Sequence, residues 1–197
     1  IAYNQIIRLA KKYRIILISF VADQGEEKLL RREMKRYCPD IITVKHQKIC
    51  GLLNVFKGFF LLRSLQVSYF YGFKMGRAVK KAVDFYKPDL IHVQTIRMAQ
   101  YALRYKIDKT IDFIDAISLN MREKAKNSGF FIGLISYVEA CLCRFYERKL
   151  GRCFRKVFVV ADYDKEYLVS NKIIHSSKLT VNPNGVDFPR IKLKKKK

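Results

Sequence analysis

The sequence predicts an α/β fold: an open parallel sheet with helices on both faces. Three observations point to it. Short apolar runs rich in β-branched residues alternate with longer amphipathic stretches, the pattern of strands joined by crossover helices. The runs are continuously apolar, which fits strands buried on both faces. Half of the 197 residues are hydrophobic and 13% are aromatic. That composition supports a sizeable core and excludes intrinsic disorder, despite a formal net charge of +23.

The elements follow in order. Ile1–Tyr13 sets Ile6, Ile7, Leu9 and Ala10 against Arg8, Lys11 and Lys12, an amphipathic helix without a capping residue. Arg14–Val21 is a strand. Gln24–Tyr37 is a helix with Glu26 and Glu27 early and Arg36 late, which suits the helix dipole. Pro39-Asp40 ends it, and Ile41–Val44 is the next strand. Ile49–Gln66 reads as one long apolar helix. Gly72–Tyr86 is a helix with Ala78, Val79, Ala82 and Val83 on one face, stopped by Lys87-Pro88-Asp89. Leu90–Gln94 is a strand, Ile96–Tyr105 a helix, Thr110–Ile114 a strand, and Asp115–Lys126 a loop and helix. Phe130–Leu150 is a long helix, Val157–Val160 a strand, Asp162–Ser170 a helix, and Lys178–Asn182 a last short strand.

Several chemistries are disfavoured. The first strand-to-helix turn, Val21–Gly25, has no G-x-G-x-x-G, and the glycines at 72 and 76 are not followed by G-K-S/T, which argues against a dinucleotide dehydrogenase or a P-loop NTPase. No G-x-S-x-G elbow is present. His46, His92 and His175 show no metal-ligand spacing, and mid-strand His92 reads as a hydrogen-bonded core histidine. The five cysteines have an odd count and no regular spacing; with no secretory signal read at Ile1, they fit free thiols in a reducing, cytosolic setting. Cys141 and Cys143 sit two apart on a helix, on different faces, and read as small apolar residues.

In open α/β sheets, ligands lie beyond the carboxyl ends of the strands. The residues there are Thr95–Arg97, Asp115–Ser118, Ala161-Asp162 and Pro183–Asp187. With these in view, the chain resembles a known family. Asp89–Gln94, Thr110–Ser118, Glu139–Arg148, Val157–Asp164 and Pro183-Asn184-Gly185-Val186-Asp187 are similar, in that order, to segments of family 4 glycosyltransferases, above all bacterial exopolysaccharide-type sugar transferases. The likeness covers roughly residues 85–188.

The resemblance implies the N-terminal half of a GT-B fold, a Rossmann-like domain that binds the acceptor and faces a second domain that binds the nucleotide-sugar donor. It implies residues 1–182 as this acceptor-side domain lacking the family's first strand, 183–189 as the interdomain segment, and 190–197 as a lysine-rich tail. It implies transfer of a sugar to a hydroxyl of a glycan or lipid-linked acceptor in cell-surface polysaccharide or glycolipid synthesis, with retention of configuration. No metal or other cofactor is expected, and the 197 residues alone are expected to be inactive. Asp115 takes the catalytic position, to orient or deprotonate an acceptor hydroxyl. Many relatives carry a histidine just before this aspartate; here the residue is Ile114. Arg97, Ser118, Asn184 and Gly185 complete the acceptor- and substrate-binding set. Asp115 and Ser118 equally suit helix capping, Arg97 a solvated surface, and Asn184-Gly185 an interdomain turn. Glu139 and Glu147 have the interval of the family's donor-site glutamates, but lie in a glycine-free helical stretch and read as structural acids paired with nearby Arg or Lys.

The charge excess, 40 Lys and Arg against 17 Asp and Glu, calls for a polyanionic partner. No nucleic-acid-binding motif is present, and outside the tail the lysines are dispersed. A basic nucleic-acid-binding or non-catalytic α/β module is therefore the alternative, and nucleic acid is not expected. A receiver-like domain would want more acids after the first strand than Asp23. The longest apolar stretches, Ile49–Leu62 and Gly129–Cys143, fall short of the ~20 residues that span a bilayer. Two placements are open for each: on a membrane surface or packed in a core. Lys48, Lys57 and Arg63 beside Phe56, Phe59 and Phe60 suit an anionic surface, and the expected location is cytoplasmic, on the inner face of the cytoplasmic membrane.

Overall fold

The computed structural model describes residues 2–183. Its elements are α1 (Ala2–Leu9), β1 (Ile16–Val21), α2 (Gln24–Met34), β2 (Asp40–Lys45), α3 (Lys48–Phe60), α4 (Leu65–Tyr69), α5 (Phe73–Tyr86), β3 (Leu90–Gln94), β4 (Asp108–Ile114), α6 (Ile117–Lys126), α7 (Phe130–Cys153), β5 (Lys156–Val159), α8 (Asp162–Ser170) and β6 (Leu179–Val181). Two 3₁₀ turns, Ile96–Tyr101 and Ser176–Lys178, complete the chain.

All strand pairs are parallel, and every connection carries a helix or a 3₁₀ turn. The α/β class with a Rossmann-like order of elements is therefore as expected. The strands form two hydrogen-bonded sheets: β1 with β2, and β3-β4-β5-β6. Within the described residues, β1 and β3 each have a neighbour on one side only.

The core lies under the second sheet. Val93, Ile111, Phe113, Val157, Val159 and Leu179 from the strands meet Leu119, Leu150 and Leu168 from α6, α7 and α8. The first sheet is thinly covered. α5 packs on both of its strands, yet β1 buries only Val21 and β2 buries nothing.

Four local expectations are corrected. The long helix expected over 49–66 is two helices, α3 and α4, because Leu62 adopts a left-handed φ of 48° and Ser64 caps a new helix, its Oγ accepting from the Val67 amide. The helix expected over 96–105 is a short 3₁₀ turn after Thr95, which has φ 67°. His92 is exposed, its ring 2.8 Å from the Thr110 hydroxyl, so it is hydrogen-bonded but lies outside the core. All five cysteines are free; Cys143 is buried while Cys141 is half-buried. No helix among the described residues is long and apolar enough to cross a membrane.

Candidate functional site at the carboxyl ends of the second sheet

The strand ends of the second sheet are tied to one another by backbone bonds. The Thr95 amide donates to the Asp112 carbonyl (2.8 Å), the Val160 amide to the Ile114 carbonyl (2.9 Å), and the Asn182 amide to the Val159 carbonyl (2.8 Å). β4 ends in a register irregularity between Asp112 and Ile114. Ile114 is forced to φ 69°, a costly conformation for a β-branched residue. The buried Asp112 carboxylate holds this bend by accepting from the Ile114 amide at 2.9 Å. Its other oxygen accepts from Gln5 Nε2 at 2.7 Å, and Gln94 donates in turn to Gln5. α1 is thus pinned to the mouth of the sheet by polar contacts alone, since it buries no residue.

The bend delivers Asp115 to the surface. Its side chain is exposed, and among the described residues its carboxylate makes no hydrogen bond. The expected capping role is not the one it has. The N-cap of α6 is Ala116, which has no side chain to offer. The amides at this helix start are satisfied instead by two distant acids. Asp164 Oδ1 accepts from Ala116 N at 2.9 Å. Glu147 Oε1 accepts from Ser118 N at 3.0 Å, and its Oε2 accepts from the Ser118 hydroxyl. Asp115 is left free by this division of labour.

Ser118 is fully buried, with amide and hydroxyl both committed to Glu147. That geometry makes it a helix-positioning residue and removes it from the surface where an acceptor would bind. Glu147 shows a matching effect: burial pushes its carboxyl up to about 7, against the pull of the Ser118 and Ile117 donors. Burial also raises Asp164, and the charge of Asp115 adds to it, whereas the Ala116 amide works the other way. Asp115 and Asp164 are therefore near enough to feel each other at the same strand end.

Glu139 is a structural acid, as read from its helix, but its partners are not basic side chains. It accepts from the Ser64 hydroxyl (2.7 Å) and from the Leu65 and Gln66 amides (2.9 and 3.2 Å). Both α7 acids thus serve the amino ends of other helices, where partial positive charge favours a carboxylate. Arg97, after β3, is not a free solvated cation. Its guanidinium donates to Gln66 Oε1 at 2.6 Å and lies 5.6 Å from the centre of the Phe70 ring. It remains half-exposed beside the ends of β3 and β4. Asn184 and Gly185 lie outside the described residues.

Sequence reading missed Gln5, Gln66, Gln94, Asp112 and Asp164, all polar groups that shape this edge. Only the acidic first turn of α8 gave a local signal for one of them, Asp164. No curated protein matches the chain. Residues 51–190, which hold the whole second sheet, match the model of Glycosyltransferase Family 4. With well over half of its length matched, and with parallel strands whose carboxyl ends form one polar edge, the chain belongs to glycosyltransferase family 4.

Proposed function

We propose that this chain is the acceptor-side part of a sugar transferase. It would hold a glycan or lipid-linked acceptor at the carboxyl edge of the second sheet, while a second, nucleotide-sugar-binding domain closes the cleft. The acceptor hydroxyl would receive the sugar in the making of cell-surface polysaccharide or glycolipid. Work on a lipid-linked acceptor would bring the chain to the inner face of the cytoplasmic membrane. The family match makes sugar transfer the parent reading. The observation that carries the finer one is the exposed, unpartnered carboxylate of Asp115 at a bent strand end.

The chemistry follows from that placement. A free carboxylate accepts a hydrogen bond from a sugar hydroxyl and sharpens the oxygen as a nucleophile, or takes its proton outright. Arg97, already oriented by Gln66 and Phe70, presents a fixed guanidinium to the acceptor or to a phosphate on it. One domain with one polar edge supplies half of such a cleft, so no turnover is expected from these 197 residues by themselves.

The test uses the enzyme in which this chain stands beside its donor domain. Asp115→Asn should lower kcat/KM for the acceptor by roughly 10²-fold or more, while leaving donor binding unchanged. Unaltered kinetics would remove Asp115 from the reaction. Sugar transfer by the isolated 197 residues would overturn the half-cleft reading.

A further inference from the structure

α3 and α7 both carry apolar side chains that the fold leaves uncovered. In α3, Phe56, Phe59 and Phe60 are exposed, Phe60 at 68%, and the helix buries only Gly51 and Gly58. The three rings stack in a row, with centroids 4.9 Å apart for Phe56–Phe60 and 5.7 Å for Phe59–Phe60. α7 changes character along its length. Cys143, Glu147 and Leu150 in its second half are fully buried, whereas Phe130 and Phe131 at its start are 80% and 79% exposed.

The two apolar surfaces are neighbours. Glu139, in the middle of α7, holds the Ser64 hydroxyl and the Leu65 and Gln66 amides that follow α3. Phe60 is four residues from Ser64, within about 15 Å along the chain. Phe130 is nine residues from Glu139, about 13 Å along the helix. A patch of this kind is rare on a monomer that meets only water.

The charge around the patch selects its occupant. From residue 41 to residue 83 the chain has eight Lys and Arg and no Asp or Glu. At the other surface, the single acid between 116 and 138 is Glu123, which pairs with Lys126 at 2.9 Å. α6 and α7 approach closely there, since a Cβ on Gly133 would lie 2.9 Å from the Ala125 carbonyl oxygen. The groove beside this approach measures about 440 Å³, and Arg122, Lys126, Phe130, Leu134 and Tyr137 are among its lining residues. Cations and apolar side chains in one groove match the two ends of an anionic phospholipid: phosphate and acyl chain.

We propose that the carboxyl end of α3 and the first half of α7 form one docking surface for an anionic lipid bilayer, with the aromatic side chains inserted and the basic residues on the headgroups. It deepens the reading above, on which it rests for the acceptor, by naming the surface that brings the chain to its substrate.

The chain is sedimented with vesicles of phosphatidylcholine alone and with vesicles that also contain phosphatidylglycerol. Binding to the anionic vesicles should be at least about tenfold stronger and should weaken as salt is raised. F60E/F131E should lower it by about tenfold or more. F85E changes a ring that is 79% exposed on α5 and should leave it unaltered; circular dichroism confirms that both variants fold. Equal binding to the two kinds of vesicle, binding to neither, or the same loss from F85E would overturn the proposal. So would a concentration-dependent dimer that F60E/F131E dissolves in the absence of vesicle binding, which would give the face to a second copy. Because no sugar donor is present, failure here leaves the transferase reading standing, and failed transfer leaves this one standing.

Discussion

β1 and β4 are both parallel strands rich in β-branched residues. β4 buries Ile111, Asp112 and Phe113 to 1% exposure or less, while β1 buries Val21 alone. The difference lies in what covers them. β4 has strands on both sides and α6, α7 and α8 around the core it shares. β1 has one strand partner and α5 on its sheet. Parallel strands of this composition are stable when both faces and both edges are covered. The second sheet meets that condition and the first does not. The family match runs along the same division: it spans all of the second sheet and begins after β2. The part that carries the candidate site is also the part with the rigid core, as a positioning scaffold requires.

The widest gap between the two sheets should appear on truncation. Phe113→Ala removes a ring that is 1% exposed at the centre of the core, and should cost about 3–5 kcal/mol. Ile18→Ala at the middle of β1, where no neighbour along the strand except Val21 is buried, should cost about 1 kcal/mol. Urea melts of the two variants measure both. Equal losses would mean that β1 is far better covered than its exposure indicates. Hydrogen exchange should agree, with β1 and β2 amides exchanging well before those of β4 and β5.

Acid–base titration separates the two regions in a second way. Glu147 sits under α6 at the second sheet, its carboxyl pushed by burial from the usual 4.5 to about 7. A raised carboxyl means that the folded chain binds the proton more tightly than the unfolded one. Stability is then highest below pH 4.5 and falls as pH rises from there to about 7, by about 3 kcal/mol from this group. Glu147→Gln keeps an oxygen for the Ser118 amide and a donor for its hydroxyl, so it should flatten the profile across that window. Melts of wild type and variant at intervals through the window check it. An unaltered slope in the variant would assign the effect to another group.

Much of this architecture was legible in the chain. Runs such as Ile15–Phe20, Leu90–Val93 and Val157–Val160 announce strands, because the signal is local and β-branched. Asp115 could be singled out because strand order alone puts it at the carboxyl edge. The division into two sheets was not legible, since strand pairing is decided by residues far apart. The caps were hidden for the same reason: Glu147 is 29 residues from Ser118, and Asp164 is 48 from Ala116. The aromatic row of α3 was ambiguous because an apolar run has the same appearance whether it meets a core or a lipid.

The smallest effect should fall at the joint between the two regions, the turn from α3 to α4. Ser64 Oγ donates to Glu139 at 2.7 Å and accepts from the Val67 amide at 3.4 Å. Ser64→Ala removes both contacts, but Glu139 keeps the Leu65 and Gln66 amides. The buried carboxylate is therefore not orphaned. The loss should stay near that of an ordinary cap, about 1 kcal/mol, rather than the several kcal/mol of an unpaired buried charge. It should be local as well, with faster hydrogen exchange in α4 and unaltered protection in β4 and β5. A loss as large as that of Phe113→Ala, spread over the second sheet, would show that the joint holds the main core together, and that the two regions fold as a single unit.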